Sequence, residues 1–408
     1  MQYPLDIEAE LHSSFFMRED VAKKEKSGKS NKATAAGTLK KMAKADQKIT
    51  LRKTTVQATT AKPKYTIAVT GLNAIDSPGP GISVIRALRD ATSFDVRIIG
   101  LSYESLEPGI YMHDLIDKTY QVPYPGAGQE VLFDRFAYIN SVENIDFLFP
   151  NFDAELFNFI SLKEKFESEL GIKMVLPTQE QFEARHKVNL FEFGKKHKIK
   201  VPFAKMVYSL SEIPAITKEF GFPLVVKGKF YDAKIAYSNE QAMQHFNKIS
   251  TEWGLPVLIQ QFVHGSEVNV CGVGNGKGVT LGAVPMRKLY ITDKGKAWAG
   301  VTLDDKNLLK TTHTFVKNTK WCGAFELEFI KTADDEYFLI EINPRFPAWC
   351  YLTVGARQNQ IESVVNLAMG KKVEPYKDYD VGKMFIRYSY DMIVNMPEFE
   401  QISTIGEL

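Results

Sequence analysis

The stretch GAFELEFIKTADDEYFLIEINPRF (323–346) decides how this sequence is read. Two strand-like runs, GAFELEFI (323–330) and EYFLIEINPRF (336–346), flank Thr332-Ala333-Asp334-Asp335, a turn-forming segment. Side chains alternate across a strand, so Phe325, Leu327 and Phe329 share one face and Glu326 and Glu328 the other. On the partner run the alternation sets Phe338, Ile340 and Ile342 against Leu339, Glu341 and Asn343. With Asp334 and Asp335 central in the turn, Glu328 faces Glu341 and Glu326 faces Asn343. Three carboxylates and an amide then share one face. Opposed Cβ atoms lie roughly 5 Å apart, where like charges are unfavourable, so a cation is expected between them. Hard oxygen ligands without His or Cys suit Mg²⁺ (or Mn²⁺), which takes one or two carboxylates and completes its shell with water and nucleotide phosphates. Pro344 cannot extend a central strand, so Arg345 projects where the strand ends, suited to a bidentate phosphate contact. The same pattern also fits a solvent-facing hairpin whose polar face is simply acidic.

Upstream, TIAVTG (66–71), LNAIDSPGPG (72–81) and ISVIRALRD (82–90) read as strand, glycine-rich turn and helix, the opening of a βαβ unit. FDVRIIGL (94–101), KTYQVPY (118–124) and IDFLFP (145–150) are further strands, and DAELFNFISLKEKFESEL (153–170) is a helix, so a mostly parallel sheet is expected over 65–178. Gly79-Pro80-Gly81 before a helix invites a dinucleotide reading, hence an NAD-dependent oxidoreductase. That fingerprint's third glycine falls at Val84, and Pro80 separates the first two. A structural turn and an anionic substrate bound at the helix start are the other readings.

At 408 residues the chain holds two or three domains. A composition 44% hydrophobic and 25% charged is that of a globular protein, and no run of ~18 apolar residues predicts membrane insertion. Asp6, Glu8 and Glu10 stand where a secretory signal is basic, and three scattered cysteines, Cys271, Cys322 and Cys350, argue against a disulfide framework or zinc site; a cytoplasmic setting is expected. Residues 1–64 carry 14 Lys/Arg against 7 Asp/Glu, whereas 65–408 carry 37 against 42. This basic segment has no aromatic residue from Met17 to Lys64 and reads as a mobile tail, either a plain solvated extension or a handle for an acidic partner.

EINPR (341–345), with Glu328 thirteen residues before Glu341, resembles the ATP-grasp superfamily, in particular the branch of biotin carboxylase and the carbamoyl-phosphate synthetase large chain. The resemblance covers about 65–372. It implies that Glu328, Glu341 and Asn343 hold Mg²⁺ and that Arg345 meets the ATP phosphates. It makes Lys187, in ARHKVNLFEFGKKHKI, the first nucleotide lysine and Lys227, in FGFPLVVKG, the second, with Lys229 as a rival. LPVLIQQFVHGSEVNV resembles the hinge at the adenine: backbone groups from Gln261 through Phe262 to Val263 would bond its edge, Gln260 its amino group, and Glu267 the ribose hydroxyls. Arg287 and Lys288 are candidates to hold the acceptor carboxylate or stabilise an acyl phosphate, or else form an exposed strand end.

The implied fold is α/β plus α+β: a Rossmann-like pre-ATP-grasp domain (65–178), then an ATP-grasp domain (179–372) of two subdomains, about 179–256 and 257–372, then a C-terminal extension (373–408) with the strand-like KMFIRYSYDMI. The implied activity is ligation: ATP phosphorylates a carboxylate, an amine or similar nucleophile attacks the acyl phosphate, and ADP and phosphate leave. Three departures stand out. The lid KFYDAKIAYSNEQ has no glycine, His186 precedes Lys187 where many relatives have an acidic or small residue, and FPAWCYLTVGA after EINPR suggests a different substrate. An alternative is therefore a nucleotide-binding scaffold without turnover that uses its basic tail to recruit a partner. A homodimer is the commonest arrangement for soluble oligomers.

Overall fold

The computed structural model describes residues 62–228 and 233–408; residues 1–61 of the basic tail and Lys229 lie outside the described residues, and the tail's expected last residue, Lys64, opens the first strand. Strands β1 (Lys64–Val69), β2 (Asp95–Ser102), β3 (Lys118–Gln121) and β4 (Phe147–Phe149) form a parallel sheet in the order β3-β2-β1-β4. Helices cover both faces, which is why these strands are apolar runs instead of alternating ones. Val84, Ile85 and Leu88 of helix Pro80–Arg89 pack on one face, and Phe136, Ile139, Leu156 and Phe159 of helices Gln129–Glu143 and Asp153–Lys165 on the other. The expected helix 153–170 is α-helical only to Lys165; its last turn widens to a π-helix over Phe166–Leu170 before Gly171. A Cβ at Gly81 would lie 2.2 Å from the Thr70 carbonyl oxygen, so the glycine is what lets helix and strand meet this closely.

Strands β5 (Ala204–Val207), β6 (Leu224–Lys227), β7 (Ala233–Ala236) and β8 (Val257–Gln261) make a four-stranded antiparallel sheet, order β5-β8-β6-β7, backed by helices Ile213–Phe220 and Asn239–Trp253. Strands β9 (Ser266–Asn275), β10 (Thr280–Ile291), β11 (Ala297–Thr302), β12 (Cys322–Lys331), β13 (Tyr337–Asn343) and β14 (Met384–Ile386) form a second antiparallel sheet, order β13-β12-β9-β10-β11-β14. One of its faces buries Phe325, Leu327 and Phe329 against helices Lys187–His197 and Lys306–Thr319. Its other face, through Cys271, Val273, Met286 and Ala324, joins the core that Val84 and Leu88 build on the parallel sheet. The two sheets therefore share one core, and a polar site at its edge has walls from both.

The β12–β13 hairpin has the expected pairing at its far end and a different path near its turn. Lys331 pairs with Tyr337, so the loop is Thr332–Glu336 with Asp335 at φ 55°. A bulge at Ile340 then resets the register so that Glu328 faces Glu341 and Glu326 faces Asn343. One extra residue reverses the alternation. Leu339, expected beside Glu341, instead opposes Phe329 and is fully buried with it on the apolar face. The C-terminal strand is also shorter than its sequence run, only Met384–Ile386. Beyond it, helix Met396–Ile405 carries the chain back to the parallel sheet, where Leu408 and Thr119 exchange backbone hydrogen bonds of 2.8 and 2.9 Å. Among the described residues no helix is long and apolar enough to cross a membrane.

Candidate active site

The acidic face of β12 and β13 lies under the shared core's edge. Glu326, only 6% exposed, accepts hydrogen bonds from Trp349 Nε1 (2.6 Å), Asn343 Nδ2 (3.1 Å) and Asn269 Nδ2 (3.3 Å). Asn343 Nδ2 also reaches Glu328 at 3.3 Å, so the amide nitrogen faces the carboxylates and leaves the oxygen as a donor to a cation. The positive charge this face requires is Lys288 on β10, whose Nζ lies 2.5 Å from Glu267 and 3.6 Å from Glu328. Burial pulls the Lys288 pKa down, but Glu328 and Glu267 more than reverse that and leave it raised. Burial, Glu326 and Glu341 hold the Glu328 carboxyl well above the usual range despite Lys288. Burial also raises Glu326, against the pull of Lys288 and the Trp349 hydrogen bond.

Arg345 also acts on Glu326 and Glu341, and Lys227 on Glu341 and Glu328, so the carboxylates face cations from several elements. Among the described residues no three acidic, His or Cys side chains close into a metal cage. Glu328, Glu341 and Asn343 instead form an open set of hard oxygen donors, which fits Mg²⁺, an ion that keeps water and phosphate ligands.

Lys227, at the end of β6, faces this set from the other antiparallel sheet. Burial and the neighbouring Lys187 push its pKa down to about 8, while Glu341 and Glu328 pull the other way. Lys187 is the first residue of helix Lys187–His197. The fold thus brings Lys187, Lys227, Glu328 and Glu341 together from four separate elements. In the hinge, Gln260 is buried in β8 between Ala204 and Val225. The Gln261 N–H is donated to the Phe203 carbonyl at 2.8 Å, and Phe262 and Val263 after it are half-buried.

One expected residue is placed differently. Arg287 is exposed, on the opposite face of β10 from Lys288, and does not line the site, because neighbours on a strand point apart. Glu267 is engaged by Lys288. Arg345 does project where β13 ends, but its Nε and Nη2 donate to Asp153 Oδ2 at 3.1 and 2.8 Å. Asp153 opens the helix Asp153–Lys165 after β4, and sequence inspection missed it: no local signal joins residues 192 positions apart. Trp349 and Asn269, which orient Glu326, were missed for the same reason.

Lys288, Glu326, Glu328, Glu341, Asn343, Arg345 and Trp349 line a cavity of about 700 Å³ between the two sheets that share the core, and the two nucleotide lysines and the hinge residues stand outside its lining. Glu326, Glu328, Glu341, Arg345 and Arg387 line it together with Lys294 and Lys296, and Ser77–Pro80 and Asn151–Asp153 form a wall from the loops of the parallel sheet, with Arg387 close enough to Glu326 to feel its charge. In the glycine turn the N–H groups of Gly79 and Gly81 donate to the carbonyls of Asn73 (2.7 Å) and Gly71 (3.0 Å). They are spent on the turn itself, so the dinucleotide reading loses the donors it needs. Cys271 and Cys350 are buried, with thiol pKa values raised chiefly by burial, which makes them packing residues.

Solved structures share this arrangement. The biotin carboxylase domain of Hydrogenobacter thermophilus 2-oxoglutarate carboxylase superposes with a TM-score of 0.60 at 15% identity, over 80% of this chain and 74% of that one. The chain has the ATP-grasp fold. Campylobacter jejuni biotin carboxylase (TM-score 0.61, 13% identity, 78% and 74% covered) and Staphylococcus aureus N5-carboxyaminoimidazole synthetase (0.60, 13%, 79% and 81%) have the same ATP-grasp architecture. In sequence, carbamoyl-phosphate synthase of Methanobrevibacter smithii is 26% identical over 287 residues, covering 66% of this chain and 74% of that protein. The likeness is to the biotin carboxylase and carbamoyl-phosphate synthetase branch of the ATP-grasp proteins. No family model matches the chain.

Proposed function

We propose that this chain is an ATP- and Mg²⁺-dependent ligase that activates a carboxylate as an acyl phosphate and joins it to an amine or similar nucleophile, releasing ADP and phosphate. The observation that carries the reading is the opposed pair Glu328 and Glu341, with Asn343 beside it and Lys227 and Lys187 nearby. The Hydrogenobacter structure holds MgADP and bicarbonate, and one Staphylococcus aureus synthetase structure holds ADP, which supports the same nucleotide here.

Glu328, Glu341 and Asn343 would hold Mg²⁺, which when bound neutralises charge on the β- and γ-phosphate oxygens. Lys187 and Lys227 would hold the phosphates, and Gln260, Phe262 and Val263 the adenine. Arg345 and Lys288 would balance charge as the acceptor carboxylate oxygen attacks the γ-phosphorus and the bond to ADP breaks. The nucleophile then attacks the acyl carbon and phosphate leaves. Residues 65–178 would act as the pre-ATP-grasp domain, 179–256 and 257–372 as the subdomains that hold the nucleotide, and 373–408 as an extension that completes the acceptor side. A homodimer is an open proposal that light scattering tests.

Calorimetric titration with ATP and with NAD⁺, each with and without Mg²⁺, tests the reading. Magnesium-dependent ATP binding that Glu328→Gln/Glu341→Gln abolishes supports it; binding of NAD⁺ alone refutes it. A second reading, nucleotide binding without turnover, draws on Lys288 and Arg345 being already engaged by Glu267 and Asp153. It requires that no acceptor acid triggers ADP release.

A further inference from the structure

Glu326 lines the cavity two residues before Glu328, on the same face of β12, yet its oxygens are already committed within the chain. Oε1 accepts from Trp349 Nε1 at 2.6 Å and from Asn269 Nδ2 at 3.3 Å, and Oε2 accepts from Asn343 Nδ2 at 3.1 Å. The three donors come from separate places: Asn269 from β9, Asn343 from the end of β13, and Trp349 from the segment FPAWCY beyond the Pro344 stop. A carboxylate has about four acceptor sites, so three donors leave this one little capacity for an ion. Among these bonds the shortest is the one from the indole.

These bonds decide which way Asn343 turns. A side-chain amide carries two N–H donors on its nitrogen and its acceptor on the opposite side. Asn343 Nδ2 donates to Glu326 Oε2 at 3.1 Å and to Glu328 Oε1 at 3.3 Å, so both hydrogens are spent on the two carboxylates of β12 and Oδ1 faces the other way. Turned over, the same amide would offer N–H donors to a cation, which they cannot ligate. Glu328 alone gives the nitrogen one acceptor; Glu326 supplies the second, and it can do so only while Trp349 and Asn269 hold it. Asn343 and Trp349 are both nearly buried, at 8% and 5% exposure, so neither has water to substitute for a lost partner.

We propose that Trp349, acting through Glu326, is a positioning residue for Asn343: the indole N–H fixes the Glu326 carboxylate, which holds the Asn343 amide nitrogen and so turns the amide oxygen onto the divalent ion that accompanies the nucleotide. The inference rests on the ligase reading, which gives Asn343 its place on the ion. Outer hydrogen-bond partners of this kind fix the orientation of a ligand before the metal arrives and thereby raise its affinity. Glu326 itself is no ligand in this arrangement, and the segment FPAWCY, which set the sequence apart, acquires a role at the metal end of the cavity.

The full chain is titrated with ADP by calorimetry, with and without Mn²⁺, and the ratio of the two affinities measures what the ion adds at the site. Trp349→Phe keeps the ring and every charge and removes only the N–H donor. It should lower the ratio about tenfold, the usual effect of losing an outer partner of a metal ligand, and leave metal-free ADP affinity within twofold of the parent. Asn343→Ala should lower the ratio at least as far, and adding Trp349→Phe to it should change the ratio less than twofold, because no amide is left to orient. A ratio that Trp349→Phe leaves within twofold of the parent, or losses that multiply in the double variant, overturns the proposal. Should Trp349→Phe fail to fold, Glu326→Gln replaces it, since that substitution leaves one acceptor oxygen for three donors. Its lost charge acts equally with and without Asn343, whereas lost positioning vanishes in Asn343→Ala, so an equal fall in both backgrounds overturns the proposal. A parent ratio near one overturns the ligase reading itself, and the positioning role with it.

Discussion

Glu328 stands directly opposite Glu341 because Ile340 bulges out of β13 and resets the register of the hairpin. Burial and the carboxylates around it keep the Glu328 carboxyl well above its ordinary value of 4.5. A carboxyl raised in the folded state takes up protons that the unfolded state has lost, so stability falls as pH rises from about 4.5 through the folded pKa. The melting temperature in EDTA should therefore drop over that window, and Glu328→Gln should flatten the drop. Added Mg²⁺ should restore stability to the parent at pH 7 and leave Glu328→Gln unmoved, as read by calorimetry.

Lys227, with a pKa of about 8, is charged below that pH and neutral above it. If its charge meets the α- or β-phosphate, MgADP affinity should fall about tenfold between pH 7 and pH 9, following the charged fraction. Lys227→Arg should abolish this pH dependence, and Lys227→Met should bind weakly at both pH values. A titration series at three pH values decides it, and an unchanged parent affinity sinks the assignment.

Lys288 is a counter-ion that the acidic face carries within the chain. Lys288→Met leaves Glu267 and Glu328 without it, and removing one partner of a buried pair costs about 3 kcal/mol. Chemical denaturation in EDTA should show that loss. Millimolar Mg²⁺ should recover most of it, because a divalent ion brings positive charge to the same carboxylates.

Arg345 and Asp153 join the end of β13 to the helix that follows β4. Asp153→Asn should lower stability by roughly 2 kcal/mol, the usual range for hydrogen bonds to a charged group. Arg345→Lys should not substitute for the arginine in urea melts, since an ammonium lacks the rigid planar fork that places two N–H donors on Asp153 Oδ2.

At the glycine turn, Gly81→Ala would drive a Cβ to 2.2 Å from the Thr70 carbonyl oxygen. Forcing helix Pro80–Arg89 off β1 should cost about 1–3 kcal/mol, as overpacking does. NAD⁺ should fail to bind the parent or the variant. NAD⁺ binding by the parent that the variant loses would restore the dinucleotide reading.

The opposed carboxylates, the Pro344 stop and the strand–turn–helix at Gly71 to Gly81 were legible in the sequence, because strand alternation, turn chemistry and proline's missing N–H act over a few residues. Even there the agreement over Glu328 and Glu341 rests on two departures that compensate, a longer turn and a bulge at Ile340, neither visible in the pattern. Lys288 and Arg287 are adjacent, and only the orientation of β10 in the assembled sheet decides which of them meets the acids. Asp153 against Arg345, Trp349 against Glu326 and Arg387 within the cavity are likewise decisions of tertiary structure. The physical reason is one of range: backbone preferences are local, whereas the partner of a buried charge is whatever a distant segment brings within a few ångströms once the cores have packed.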